Sequence, residues 1–148
     1  MVSAVITYDA GSPINVTQAD NTGSFGGVQR PNVVAGVDPN TAGATLDRLN
    51  GYISTAAYAA APAFTFGSAP RTDPELRTPG RANLDLVVAK TVGLSSHAKA
   101  QFRIEMLNAT NTPKFVGPAS QFGVSTFGLI NTQAGFSRTT QFMFRVDW

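Results

Sequence analysis

The sequence contains no cysteine and only one histidine, His97. Without thiols it can form neither a disulfide framework nor a catalytic thiolate. Charged residues make up 14% of the chain, where about 25% is usual in soluble domains. The Lys and Arg residues are scattered singly, so the net charge of +2 provides no basic surface for nucleic acid. No apolar run approaches the roughly 18–20 residues of a membrane-spanning helix.

The N-terminus also lacks the features of a signal peptide. The segment from Met1 to Tyr8 has no basic leader and turns polar at once. For an exported protein we therefore expect this sequence to be the C-terminal part of a longer chain.

What the sequence does contain is alternation, most clearly in its last eight residues. Successive side chains of a strand point to opposite faces, so this segment has an apolar face and a polar one. The apolar face consists of Phe142, Phe144, Val146 and Trp148, and the polar face of Gln141, Met143, Arg145 and Asp147. A soluble, half-buried strand would alternate in the same way. An aromatic residue at the rim of the apolar band is more typical of the last strand of an outer-membrane barrel.

Three further segments alternate, and the connections between them differ greatly in length. Strands are predicted near residues 2–9, 81–91, 99–107 and 138–148, long loops over 10–80 and 108–137, and a tight turn at 93–97. Bacterial outer-membrane barrels combine short periplasmic turns with long extracellular loops. We therefore predict an all-β fold in which about four antiparallel strands form an incomplete wall of a transmembrane β-barrel, with two long outer loops.

The first long connection is rich in Gly, Pro, Asn and Thr, which favour turns. Loosely periodic apolar residues predict a short helix within the segment from Thr45 to Ala61. Connections of this length are uncommon in compact domains and indicate a functional loop or disorder.

Several short motifs occur in the order and spacing of one known family. They are Gly11-Ser12-Pro13, Gln29-Arg30-Pro31, Asp47-Arg48, Phe64-Thr65-Phe66-Gly67, Arg77-Thr78-Pro79-Gly80, Asn83-Leu84-Asp85-Leu86, Gln101-Phe102-Arg103-Ile104-Glu105 with Asn108 and Asn111, Phe127-Gly128 and the closing strand. In this order they resemble the closing segment of large TonB-dependent receptors. The most similar subgroup is the Oar-like receptors, which carry an N-terminal carboxypeptidase-regulatory-like domain and are abundant in Acidobacteria. The resemblance covers nearly all of residues 1–148.

This resemblance implies a structural and transport role in the bacterial outer membrane. The chain would be the C-terminal part of a receptor barrel that takes up an unidentified ligand. Its partners would be outer-membrane lipid, the rest of the barrel and its plug, and the assembly machinery that reads the last strand as a signal. The plug, the segment that contacts TonB and most barrel strands of the family do not occur in these 148 residues. The last residue is Trp148, where the family more often has Phe.

Polar residues on the predicted strands are interpreted as lining a barrel lumen. Four charged residues alternate with apolar ones along the strands: Asp85, Arg103, Glu105 and Arg145. They would face the lumen, because a charged side chain in the lumen avoids contact with lipid. A catalytic carboxylate pair is conceivable, but no motif supports it. His97 lies in the predicted turn without converging partners, so it is interpreted as a solvated turn residue. We expect no enzyme activity, no metal and no cofactor.

Aromatic residues of the first long loop have two possible roles. Phe25, Tyr52, Tyr58, Phe64 and Phe66 would either contact a ligand on the outer surface or pin the loop to the barrel rim. The sequence leaves both open. As alternatives to the barrel, a soluble β-sandwich or adhesin-like binding module would also have alternating strands, and a small hydrolase would need a catalytic motif that is not seen.

Overall fold

The computed structural model describes residues 1–23 and 27–148, and these are organised as β-structure. Their twelve strands are β1 (Val2–Asp9), β2 (Pro13–Ile14), β3 (Thr17–Gln18), β4 (Asn32–Val33), β5 (Tyr58–Ala59), β6 (Asp73–Arg77), β7 (Arg81–Gly93), β8 (Lys99–Leu107), β9 (Lys114–Phe115), β10 (Gln121–Phe122), β11 (Gln133–Ala134) and β12 (Thr139–Asp147). A single 3-10 turn, Thr55–Ala57, precedes β5. No helix in the described ranges is long and apolar enough to cross a membrane. The all-β prediction is confirmed.

The four long strands form one antiparallel sheet in the order β1-β7-β8-β12. They correspond to the four predicted strands, and β7 continues two residues beyond the predicted end, to Gly93. β-branched and aromatic residues are frequent in these strands and favour extended backbone. Because β1 and β12 are both edge strands, the sheet is an open wall within the described residues.

As predicted, one connection of the sheet is short and the other two are long. β7 and β8 are joined by a tight turn in which the Leu94 amide donates to the Ala98 carbonyl at 2.9 Å. At the other end of the sheet, Asp9 pairs with Arg81, and Leu107 pairs with Thr139. Both long connections therefore leave and re-enter the sheet at the end opposite the tight turn.

The chain divides into two compact units. The sheet unit comprises Met1–Asp9, Arg81–Lys114 and Ala134–Trp148, and the loop unit comprises Ala10–Gly80 and Phe115–Gln133. The loop unit has its own apolar core, built from Ile14, Val16, Tyr52, Ile53, Tyr58, Leu76, Phe127 and Ile130. The sequence left a functional loop or disorder open for this connection, and its described residues are ordered because enough apolar side chains converge to form a core.

Within Thr45 to Ala61, where a short helix was predicted, the structure has a 3-10 helix of three residues, Thr55–Ala57. Residues 45–50 form turns, and the 3-10 turn is the only helical part of this segment. Its backbone groups bond to distant segments instead: the Tyr52 amide donates to the Gly128 carbonyl at 2.7 Å, and the Ile130 amide donates to the Leu49 carbonyl at 2.8 Å. These long-range bonds use groups that a helix would have paired locally.

Candidate functional site

The strand register gives the sheet two chemically different faces. From β1 to β12, one face carries Val2, Ala4, Ile6, Tyr8, Ala82, Leu84, Leu86, Val88, Lys90, Val92, Ala100, Phe102, Ile104, Met106, Thr140, Phe142, Phe144 and Val146. Apart from one lysine, one threonine and the tyrosine hydroxyl, the side chains on this face are apolar. The two faces of the sheet, rather than a cleft, are therefore the candidate site.

The apolar face is unusually exposed. Ile6 is 78% exposed, Phe142 76% and, beyond the end of β12, Trp148 93%. Soluble monomers rarely expose contiguous apolar patches of this extent, and such patches mark interaction surfaces. The described residues of the sheet unit form a single layer, so no second sheet of that unit covers the face.

The height of the apolar face matches that of a bilayer core. From Ala82 to Val92 it extends about 33 Å along β7 at the usual rise per residue. A strand tilt of about 40° reduces this to about 25 Å, the height of the lipid-facing band of outer-membrane barrels. Aromatic residues lie near both limits: Tyr8 at the long-loop end, and Phe102 with Phe144 toward the tight turn, where the two ring centroids are 4.8 Å apart. This arrangement is typical of interfacial girdles.

The opposite face is polar and contains three ion pairs. They are Asp9 with Arg81, Arg103 with Glu105, and Arg145 with Asp147. All of these residues have the same strand parity, so the register places them on one face. The predicted residues Asp85, Arg103, Glu105 and Arg145 therefore do share a face.

These polar residues are not gathered into one reactive cluster. The ion pairs of Arg103 and Arg145 are local, because each joins two residues of the same strand that are two positions apart in sequence. The Asp85 carboxylate accepts hydrogen bonds from the Asn83 side chain at 2.9 Å and from the backbone amide of Asn108 at 2.8 Å. Within residues 1–23 and 27–148, no group of three or more His, Asp or Glu side chains is placed to hold a metal ion. His97 is exposed in the turn, with Nδ1 2.8 Å from the Ser96 hydroxyl.

Asn108 forms a corner at the long-loop end of the sheet that was not predicted as a site. It is 3% exposed and has a positive φ of 50°. Its side-chain amide donates to the carbonyls of Thr112 (3.3 Å) and Phe136 (3.2 Å), and its side-chain oxygen accepts from the Thr112 amide at 3.0 Å. The motif with Asn108 and Asn111 was the available sequence signal, because Asn tolerates left-handed backbone better than most residues.

Replacing Asn108 with alanine should lower the free energy of unfolding by about 2–3 kcal/mol, because buried partners lose their hydrogen bonds and alanine disfavours a positive φ. A urea titration of the full-length barrel protein folded in lipid vesicles measures this. The matched control is Asn131→Ala, since Asn131 is exposed and its side-chain oxygen accepts from the hydroxyl of the neighbouring Thr132. Equal stability of the two variants would contradict the role of the Asn108 corner.

The aromatic residues of the loop unit fall into two groups. Tyr52 (4% exposed) and Tyr58 (5% exposed) belong to the core, and the Tyr52 hydroxyl donates to the Arg77 carbonyl at 2.9 Å. Phe64 and Phe66 are each 79% exposed. Phe25 lies outside the described residues. Tyr52 and Tyr58 therefore hold the loop unit together, whereas Phe64 and Phe66 stay outside its core.

Burial, with a smaller contribution from the negative charge of Asp73, raises the pKa of Tyr58 to about 12. Because the folded-state pKa exceeds the unfolded value of about 10, the neutral hydroxyl contributes stability below pH 10. That contribution is lost as the pH rises through the folded pKa. The difference in tyrosinate absorbance between the wild type and Tyr58→Phe should have its midpoint near pH 12, at the raised pKa of Tyr58. A midpoint close to the unfolded value would contradict the burial of this ring.

The remaining motifs of the first connection fix its backbone. The Arg77 guanidinium donates to the Ala10 and Gly11 carbonyls. The Ser12 amide donates to the Thr78 hydroxyl, and the Thr78 amide donates to the Ser12 carbonyl, both at 2.9 Å. The motifs at residues 11–13 and 77–80 are thus one structural clamp.

Comparison with known proteins agrees with this geometry. A family model described as "Outer membrane beta barrel domain" matches residues 1–141. No curated protein matches the chain, and no solved structure matches it.

Proposed function

The chain belongs to the outer membrane beta barrel domain family, and from that premise we propose that it is the C-terminal wall of a TonB-dependent receptor. The family itself gives the fold, a β-barrel, and the location, the bacterial outer membrane. The proposal adds a transport role, the uptake of a ligand through the receptor of which this wall is part.

The observation that carries the proposal is the separation of the two faces across all four long strands. The apolar face would contact lipid, including Phe142, Phe144, Val146 and Trp148. The polar face would line the lumen, including Asp85, Arg103, Glu105 and Arg145. Charged residues in a membrane face the protein interior or a water-filled cavity, where they pair with one another. The three ion pairs on the polar face support this orientation.

The receptor assignment is supported by the ordered motifs and by the length of the connections. In large receptors the polar lumen holds a plug, and long outer loops help to capture the ligand. Phe64 and Phe66 are exposed aromatic residues of the first such loop, and Phe136 is one of the second. The ligand itself is unidentified.

The last strand has a second proposed role as the signal read by the assembly machinery of the outer membrane. β12 is an edge strand whose unpaired backbone groups are available for strand addition. Its apolar face continues to the terminal aromatic residue, Trp148, which fits the family resemblance.

The proposed orientation can be tested with single cysteines, because the chain has none of its own. Ser96 in the tight turn and Ala42 in the loop unit are both exposed. A membrane-impermeant maleimide should label Ala42→Cys in intact cells, and should label Ser96→Cys only after the outer membrane is permeabilised. Labelling of Ser96→Cys in intact cells, with Ala42→Cys protected, would reverse the orientation.

The receptor assignment itself is tested by the genomic reading frame that contains this sequence. We expect the same open reading frame to encode a plug domain and a TonB-contacting segment. A frame that encodes a barrel with neither segment would contradict the receptor and leave the outer-membrane barrel in place.

A further inference from the structure

One charged residue interrupts the apolar face of the sheet. Lys90 lies between Val88 and Val92 on that face, and it is the only Asp, Glu, Lys or Arg there among the described strand residues. Its side chain is exposed, and no ion pair within the described ranges includes it. A lone cation on a lipid-facing surface is costly unless its ammonium group reaches polar groups at the interface.

The depth of Lys90 places it within reach of the lipid headgroups. Across the sheet it stands in one row with Phe102 and Phe144. Only the row of Val92, Ala100 and Val146 separates it from the end of the sheet at the tight turn. That end is about 10 Å away along β7. Aromatic residues at this depth mark the membrane interface, and a lysine there extends its ammonium toward the phosphates.

An apolar groove begins in the same row. It has a volume of about 260 Å³ and is lined by Phe102, Ile104, Phe142 and Phe144, together with Arg103 and Met143, which the strand register assigns to the opposite face. The Ile104 and Phe142 row lies one step farther from the tight turn than the Lys90 row. The groove therefore extends from the level of the lysine toward the middle of the bilayer, which is the direction an acyl chain takes from its headgroup.

We propose that Lys90 and this groove bind one anionic glycerophospholipid. The ammonium group pairs with the negatively charged headgroup phosphate, and one acyl chain packs along the groove against the Phe102 and Phe144 rings. This inference rests on the lipid-facing orientation proposed above and is independent of ligand uptake. The occupant is an anionic lipid because Lys90 has no ion-pair partner among the described residues and is the one charged strand residue that the register places on this face within the described ranges.

The test is native mass spectrometry of the full-length barrel protein that contains this chain, released from vesicles with equal amounts of phosphatidylglycerol and phosphatidylcholine. A single interfacial lysine favours the anionic lipid by about fivefold. We expect the wild type to retain phosphatidylglycerol in about this excess. Lys90→Ala should bring the ratio of the two lipids close to one, whereas Lys90→Arg should retain the preference because it keeps the cation.

Lys99→Ala is the matched control, because it removes the same charge near the same end of the sheet but from the polar face. It should keep the wild-type preference. Retained preference in Lys90→Ala, or an equal loss in Lys99→Ala, would overturn the proposed site. Lipid bound without any headgroup preference would overturn this site alone, whereas absence of bound lipid from every variant would also overturn the lipid-facing orientation.

Discussion

Replacing Phe144 with aspartate should reduce the amount of inserted protein by more than about tenfold. The substitution places a charge on the lipid-facing side and removes the ring that lies 4.8 Å from Phe102. A charge on this side of a barrel and the lost apolar burial together cost about 2–4 kcal/mol, and every 1.4 kcal/mol is tenfold. The measurement is the fraction of heat-modifiable protein in isolated outer membranes.

The adjacent residue provides the control for this substitution. Met143 lies on the polar face of the same strand, directly opposite Arg103. Met143→Asp introduces the same charge at the same depth, but toward the ion-paired side of the sheet. We expect its insertion to stay within about twofold of the wild type, since lumen-facing substitutions are tolerated in barrels. An equal loss of inserted protein in both variants would mean that an aspartate disrupts β12 on either face, and would contradict the lipid-facing assignment of Phe144.

Replacing Gly67 with alanine should destabilise the loop unit by at least about 3 kcal/mol. A β-carbon at this position would collide with the carbonyl oxygens of Arg30 and Pro31, which are backbone atoms and cannot rotate away. Pro31 is fully buried, and its carbonyl accepts from the Ala69 amide at 3.0 Å. The motif at residues 64–67 is thus explained by close packing of two backbone segments.

Gly51 is the control for Gly67, because a β-carbon there meets no atom within 4 Å. Hydrogen exchange of the loop unit should accelerate in Gly67→Ala and stay unchanged in Gly51→Ala. The strands of the sheet unit should keep their protection in both variants. Unchanged exchange around Ile53 in Gly67→Ala would contradict the close approach of the two segments.

The sheet could be predicted from the sequence because the alternation that identifies each strand lies within that strand. Alternation along each strand determines which residues share a face, so the side assigned to Phe144 and to Arg103 follows from parity alone. The partners of the polar residues could not be predicted in this way. Asp85 bonds to Asn108, which lies beyond the end of a different strand, and no pattern within β7 indicates that partner.

The loop unit was harder to predict because its structure depends on distant segments. The clamp between Arg77 and Gly11 joins residues 66 positions apart. Gly128, with φ of 76°, leaves room for the backbone of Ile53, where a β-carbon would lie 2.9 Å from the Ile53 oxygen. In the sequence such glycines can be recognised only through a family resemblance. The packing of the folded chain shows why a glycine is needed there.

A soluble sandwich would require its apolar faces to be covered by a second layer. The described sheet unit is one layer with Ile6 78% exposed, and the chain belongs to an outer-membrane barrel family. Both observations favour the membrane wall over the soluble binding module.

The most direct test of this wall is the accessibility of spin labels placed along β12 in the membrane-inserted protein. Labels at residues 142, 144 and 146 should be relaxed by lipid-soluble oxygen, and labels at 141, 143 and 145 should be protected from it. Such a two-residue period would show that the apolar face contacts lipid. Equal access of a water-soluble nickel reagent to all six positions, or oxygen access with the opposite parity, would contradict the account.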